Sequence, residues 1–360
     1  MPMRCKRCRG KVVIEVRRHN AGFCRDCFFH YVRQQVSRAI AKHHMLAPSD
    51  RVLVAVSGGK DSLGLWDLLL DLGYQADGLY LGLGIGGYSD RSKDLSQAFA
   101  DARGAKLLVH DLAAEQGYTI PEAAGAGQPA RGSPGGRSSC AVCGLSKRYV
   151  FNRAAHEGGY DVVATGHNLD DEAAVLFANT LRWDTASMAR QFPVLEATRP
   201  GLVKKVKPLY RVAERESAAY CVLKGIDYVV EECPLIGSNT QMRHKETLNQ
   251  MEEASPGTKH TFLFGYVDRA AALLRAADAA ELAECSRCGM VTQAPDDPAE
   301  APVCAFCRTR ARLVGEAGAG PGPARSWPAA APQPSGPAQG AIQGGRSLPL
   351  VGGHAGRPAR

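Results

Sequence analysis

Between residues 51 and 183 short apolar runs alternate with longer amphipathic stretches, the pattern expected of buried strands and surface helices. The runs RVLVAV (51–56), QADGLYLGL (75–83), AKLLVHDL (105–112) and YDVVATGH (160–167) predict strands. LGLWDLLLDLGY (63–74), SKDLSQAFADARG (92–104), CGLSKRYVFNRAAHEG (143–158) and LDDEAAVLFANTLRW (169–183) predict helices. This alternation predicts an α/β fold with a doubly wound parallel sheet. Ligands of such sheets bind beyond the carboxyl ends of the strands. Three segments fall there: Ser57–Ser62, the Gly82–Tyr88 loop and Gly166–Glu172. Residues 184–260 extend the domain, with a helix in AERESAAYCVLKG (213–225), a strand in DYVVEEC (227–233) and a polar helix in SNTQMRHKETLNQMEEA (238–254).

No apolar run approaches the roughly 18–20 residues of a membrane span, and the start, MPMRCKRCRGK, lacks the apolar stretch of a secretory signal. A cytoplasmic protein with no membrane association is the expectation. The Gly/Pro/Ser-rich stretch 124–139 predicts a mobile loop, and the Ala/Gly/Pro-rich residues 316–360 predict a disordered tail.

Twelve cysteines sharpen the picture, because ten of them form five C-x-x-C pairs and two, Cys221 and Cys233, stand alone. A chain of this size without a signal keeps thiols reduced and uses such pairs for metal or redox chemistry. Cys5, Cys8, Cys24 and Cys27 read C-x2-C-x15-C-x2-C, and Cys285, Cys288, Cys304 and Cys307 repeat the frame. Each predicts a structural Zn²⁺ with all four positions filled by sulfur, hence no open site for catalysis. The expected organisation is an N-terminal zinc finger (1–32), a catalytic domain (33–270), a C-terminal zinc ribbon (271–315) and the tail (316–360).

Charge follows this division. Residues 1–51 carry a formal +9 and residues 317–360 a formal +4, which leaves the middle at about −5 of the overall +8. Basic character at the ends is a plausible footprint for a phosphate backbone.

Ser57-Gly58-Gly59-Lys60-Asp61-Ser62 follows a strand and opens a helix, where backbone N–H groups bind phosphate. The glycines allow a tight turn, Lys60 adds positive charge, and Asp61 can hold Mg²⁺. The spacing differs from the Walker A pattern. SGGKDS resembles the PP-loop of the ATP pyrophosphatase superfamily. Four further features narrow the resemblance to the tRNA 2-thiolation enzymes of the TtuA type and their archaeal and eukaryotic relatives: Gly84-Ile85-Gly86-Gly87-Tyr88, the pair Cys140/Cys143, Gly166-His167-Asn168-Leu169-Asp170-Asp171-Glu172, and Cys233 between two cysteine frames.

The resemblance, over residues 3–312, implies an ATP-dependent tRNA-uridine 2-sulfurtransferase. ATP with Mg²⁺ would sit on Ser57–Ser62 with Gly166 and His167, and the uridine 2-oxygen would be adenylated before sulfur replaces it. Three cysteines at matching positions, Cys140, Cys143 and Cys233, would carry a 4Fe-4S cluster whose fourth iron lacks a protein ligand. Metal-free chemistry alternating persulfide and disulfide on Cys140 and Cys233 is the alternative. Cys221, inside a predicted helix, reads as a buried small apolar residue. Lys147, one turn from Cys143, and Asp171 are the implied catalytic pair, with Asp170 as the alternative carboxylate. The resemblance also implies a homodimer and, as sulfur donor, a small ubiquitin-like carrier with a C-terminal thiocarboxylate. The T-loop 5-methyluridine is mildly favoured as target by a composition that hints at a GC-rich genome, and the wobble uridine stays open.

Overall fold

The computed structural model describes residues 3–126, 138–199, 201–236, 240–277, 282–295 and 297–315. The greater part of the expected mobile loop and the expected disordered tail lie outside the described residues. The chain opens with a hairpin, β1 (Ile14–Val16) and β2 (Ala21–Phe23), followed by the long helix α1 (Arg25–Lys42). That helix runs through residue 32, so the N-terminal module and the sheet domain share it.

A six-stranded sheet follows, built with β3 (Arg51–Val56), β4 (Gln75–Gly82), β5 (Leu107–Asp111), β6 (Val162–Thr165), β7 (Val194–Leu195) and β8 (Lys204–Val206). Its order is β5-β4-β3-β6-β8-β7. Strands β5, β4, β3, β6 and β8 are parallel, but β7 pairs antiparallel with β8 through Val194 and Val206. The sheet is therefore mixed at one edge, because a two-residue strand can return by a short loop where a parallel one needs a crossover. β3 is central and buried on both faces: Val52, Val54 and Val56 enter one core cluster, and Leu53 enters another. Each such side chain contributes about 1.5–3 kcal/mol by leaving water.

The crossovers are α2 (Lys60–Asp71), α3 (Gly86–Arg103), the short α4 (Leu112–Gln116) and α5 (Ile120–Ala126), and α6 (Ser139–Glu157); α7 (Leu169–Leu181) and α8 (Thr185–Ala189) follow β6. The predicted Gly82–Tyr88 loop is corrected: α3 already begins at Gly86. Beyond the sheet come α9 (Glu214–Lys224), α10 (Thr240–Ala254), α11 (Thr258–Gly265) and α12 (Ala271–Ala277), with one π-helical turn at Tyr266–Ala270 between the last two. The predicted strand in 227–233 is also corrected. That segment joins no sheet, and its Val229 N–H donates to the carbonyl of Gly58 at 2.9 Å.

A second hairpin, β9 (Leu282–Glu284) and β10 (Val291–Gln293), and α13 (Ala305–Val314) complete the described chain. Both end modules are packed onto the α/β core. Arg18 reaches from the first to Glu216 at 2.8 Å and to the Tyr31 hydroxyl at 2.6 Å, with both charged side chains almost fully buried. In the second, Phe306 stacks on Tyr149 of α6 with centroids 3.7 Å apart, and the Arg310 Nε donates to the carbonyl of Gln116 at 3.0 Å.

The strand order reverses between β3 and β6, so the crevice at a topological switch point opens at their carboxyl ends. The loops that leave those two strands are Ser57–Gly59 and Gly166–Asn168.

Candidate functional site

Gly58 adopts φ +73°, and a Cβ there would meet the backbone of Ser92 at 2.6 Å, so only glycine makes this turn. The Ser57 N–H donates to the Ser62 hydroxyl at 3.1 Å, and that hydroxyl donates to the Gly59 carbonyl at 2.9 Å. The loop is thus tied to itself. Gly59 is the N-cap of α2 and carries no side-chain cap, which leaves the first helical N–H groups without a side-chain acceptor, as an anion-binding helix start requires.

Gly166 closes over this loop from β6. A Cβ on it would lie 2.8–2.9 Å from the backbone of Asp61 and Ser62. Asn168 then starts α7 with a capping box, accepting the N–H groups of Asp170 and Asp171 while the Asp171 carboxylate accepts its own. The Asn168 amide also donates to Asp61 Oδ1 at 3.1 Å and joins the two loops.

A cavity of about 390 Å³ lies between them, lined by Ser57, Asp61 and Ser62, by His167 and Asp171, and by Lys147 of α6. Tyr88 and Arg148 also face it. Burial pushes the Asp171 carboxyl up against the pull of Lys245, and desolvation depresses the His167 imidazole. The neighbouring carboxylate, Asp170, points away. It pairs with the buried Nζ of Lys259 and accepts the Glu214 N–H at 2.7 Å.

Lys60, expected among the nucleotide-binding residues, is paired with two carboxylates. Its Nζ bridges Asp61 Oδ2 at 3.0 Å and Glu214 Oε1 at 2.9 Å. Glu214 Oε2 in turn receives Lys245 Nζ at 2.7 Å, and the same ammonium reaches Asp171 Oδ1 at 2.9 Å. Burial would raise the Glu214 carboxyl, but Lys245 and Lys60 hold it down at about 2. Sequence reasoning missed Glu214, Lys245 and Lys259. They belong to no motif, and the partners of these ion pairs and side-chain contacts lie 31 to 154 residues away in all but one contact.

The three candidate cysteines gather at one end of the crevice. Cys140 and Cys143 occupy the first turns of α6, seven and four residues before Lys147 along the same helix. Burial raises the Cys143 thiol, Lys147 pulls it the other way, and Cys233 and Cys140 add to the rise as like charges. Tyr88 senses Cys233 and Cys143 in the same manner. Ser139 donates to the Leu235 carbonyl at 3.2 Å, which ties the start of α6 to the segment that carries Cys233. Cys221 is elsewhere, fully buried behind the PP-loop with its Sγ 3.2 Å from the Lys60 carbonyl.

Among the described residues, two groups place four sulfurs within 4.8 Å of one another: Cys5, Cys8, Cys24 and Cys27, and Cys285, Cys288, Cys304 and Cys307. Each can hold a metal ion in an all-sulfur shell. Cys285, Cys304 and Cys307 share a core cluster with Val142, Tyr149 and Val150 of α6, so the second group supports the helix that carries Cys140 and Cys143. No described helix is long and apolar enough to cross a membrane.

Residues 4–29 match the family model for 2-thiouridine synthetase TtuA, N-terminal LIM domain. Over 306 residues the chain is 47% identical to the tRNA-5-methyluridine(54) 2-sulfurtransferase of Thermus thermophilus, covering 85% of this chain and 90% of that protein. It is 38% identical to the enzyme of that name from Pyrococcus horikoshii, with 85% and 93% covered. The U34-tRNA thiolase NcsA from Methanococcus maripaludis, solved with its 4Fe-4S cluster, shares the fold at a TM-score of 0.71 and 24% identity, with 87% of this chain and 97% of that one covered. With identity of this degree to the Thermus thermophilus protein over most of both chains, the chain belongs to the tRNA 2-thiolation family and is a tRNA sulfurtransferase.

Proposed function

We propose that this crevice makes 2-thiouridine from a tRNA uridine in two stages, with the T-loop 5-methyluridine as target. One observation carries the reading: residues of the PP-loop, Lys147 beside Cys143, and Asp171 line a single cavity. In the first stage the uridine 2-oxygen attacks the α phosphate of ATP and pyrophosphate leaves. The uncapped start of α2 would hold the phosphates, with Mg²⁺ on Asp61. In the second stage a sulfur nucleophile attacks carbon 2 and AMP leaves with the oxygen, so a poor leaving group has been converted into a good one.

Cys140, Cys143 and Cys233 fit a 4Fe-4S cluster in donor type and number, and the charges of Cys140 and Cys233 both bear on the Cys143 thiol. Such a cluster would supply an iron without a protein ligand, able to bind sulfide. Lys147 would orient the base and stabilise charge near the transferred sulfur, and Asp171 would hold or move the proton of the uracil. The two cysteine frames would take Zn²⁺, and the basic surroundings of the first would hold phosphates around a base splayed from its stack. The family resemblance further supplies a thiocarboxylated ubiquitin-like sulfur carrier, a homodimer and a reducing, cytoplasmic setting. The T-loop target is supported by both quoted sulfurtransferases, named for position 54.

Anaerobic enzyme given ATP, sulfide and unmodified tRNA is expected to form 2-thiouridine and release one AMP for each sulfur transferred. No 2-thiouridine despite a full cluster would overturn the reading. Mass spectrometry of tRNA from a deletion strain should locate the missing sulfur in the T-loop; a loss at the wobble position would move the target there. Gly166→Ala tests the cradle separately. Its Cβ would press on the backbone of Asp61 and Ser62, and the KM for ATP should rise at least about tenfold, equivalent to roughly 1.4 kcal/mol of binding. An unchanged KM would show that nucleotide does not use this loop.

A further inference from the structure

Asp61 and Asp171 face the same cavity, and the negative charge of Asp61 acts unfavourably on that of Asp171. Two carboxylates so placed tend to turn apart or lose charge unless each has a cation of its own. Here each has one: Lys60 for Asp61 and Lys245 for Asp171. Those two ammoniums in turn share the carboxylate of Glu214, one oxygen each, at 2.9 and 2.7 Å. The result is an unbroken row of alternating charge, Asp61–Lys60–Glu214–Lys245–Asp171, drawn from α2, α9, α10 and α7. Only its two ends line the cavity. Glu214 is itself fixed from behind, since its N–H is held by Asp170 and Asp170 is clamped by buried Lys259.

We propose that Glu214 and Lys245 are positioning residues for tRNA thiolation, holding Asp61 and Asp171 in register across the crevice without touching substrate. The assignment rests on this crevice being the reaction site. Removing Lys245 takes the cation from Asp171 Oδ1 and leaves that carboxylate held only through Oδ2, on the Asn168 N–H at 3.3 Å. Removing the charge of Glu214 leaves two ammoniums side by side with nothing to separate them, so each is drawn onto its own crevice carboxylate.

The test is steady-state thiolation of unmodified tRNA by the full-length enzyme, read by mass spectrometry, for Lys245→Met, Lys245→Arg and Glu214→Gln. Misplacement of a reacting group by about 1 Å costs about a hundredfold, so Lys245→Met should lower kcat by about that factor. Its KM for ATP should stay within about threefold, because Lys245 does not reach the PP-loop. Lys245→Arg should return to within about fivefold of wild type, since a guanidinium can bridge two carboxylates. Glu214→Gln should change both constants, because Lys60 sits on the nucleotide side. Wild-type kcat in Lys245→Met, or a Lys245→Arg variant as slow as Lys245→Met, would overturn the assignment, and a lowered melting temperature with unchanged kcat would show a structural role only. If wild type thiolates tRNA without releasing AMP, adenylation fails as the first stage while the comparison among these variants still decides the role of Lys245.

Discussion

Cys143→Ser is expected to abolish 2-thiouridine formation as completely as Cys140→Ser or Cys233→Ser. The three thiols differ in how they meet the crevice. Cys140 is exposed, whereas Cys143 and Cys233 are half-buried. Burial pushes the Cys143 thiol up, and the charge of Lys147 pulls it the other way. A metal-free route alternating persulfide and disulfide needs two sulfurs, Cys140 and Cys233, and would tolerate loss of the third. A cluster held by three thiolates cannot, because the third iron loses its anchor. Partners one shell outside a metal already contribute about 10–100-fold, so loss of a ligand itself should cost at least about 100-fold. Two measurements decide the matter: the rate of 2-thiouridine formation, and the visible charge-transfer absorption of anaerobically reconstituted protein. Both should fall together in all three variants. If Cys143→Ser thiolates at the wild-type rate while Cys233→Ser is inactive, the chemistry is persulfide-based.

The second large effect separates two adjacent carboxylates. Asp171→Asn should leave the protein folded and lower kcat by about a hundredfold or more, the usual worth of a positioned acid or base. Asp170→Asn should do the reverse. Asp170 and Lys259 are both buried and face each other, and removing one partner of such a pair strands the other charge at a cost of about 3–5 kcal/mol. Urea unfolding followed by circular dichroism would show that loss as a lower midpoint with an unchanged slope. An Asp170→Asn variant of wild-type stability with thiolation abolished would transfer the crevice role to Asp170.

The cysteine frames and the PP-loop were readable along the chain because their chemistry is local. A C-x-x-C turn presents two thiolates whatever surrounds it, and SGGKDS between a strand and a helix presents its N–H groups through its own backbone geometry. The strand in 227–233 misled for a complementary reason. Tyr228, Val229 and Val230 have the composition of a strand, but strands form only where an edge accepts them, and among the described residues the ladder-like bond of this segment goes to Gly58. That one contact nevertheless sets the path of the chain toward Cys233. The short antiparallel β7 escaped notice because two residues carry no periodicity.

What the sequence determined by itself was the set of parts: two four-sulfur frames, a phosphate-binding turn after an apolar strand, and the residue types for sulfur and proton chemistry. Which parts meet was decided only by the tertiary structure. Asp170 and Asp171 are neighbours about 100° apart on one helix, and spacing cannot tell which faces the cavity until Lys259 and Lys245 are in place. The motif marks Lys60 as a nucleotide-side cation, but its pairing with Glu214 exists only because α9, 154 residues onward, packs beside the loop. Ion pairs reach only a few ångströms, so their partners follow from how distant elements pack and not from any local pattern.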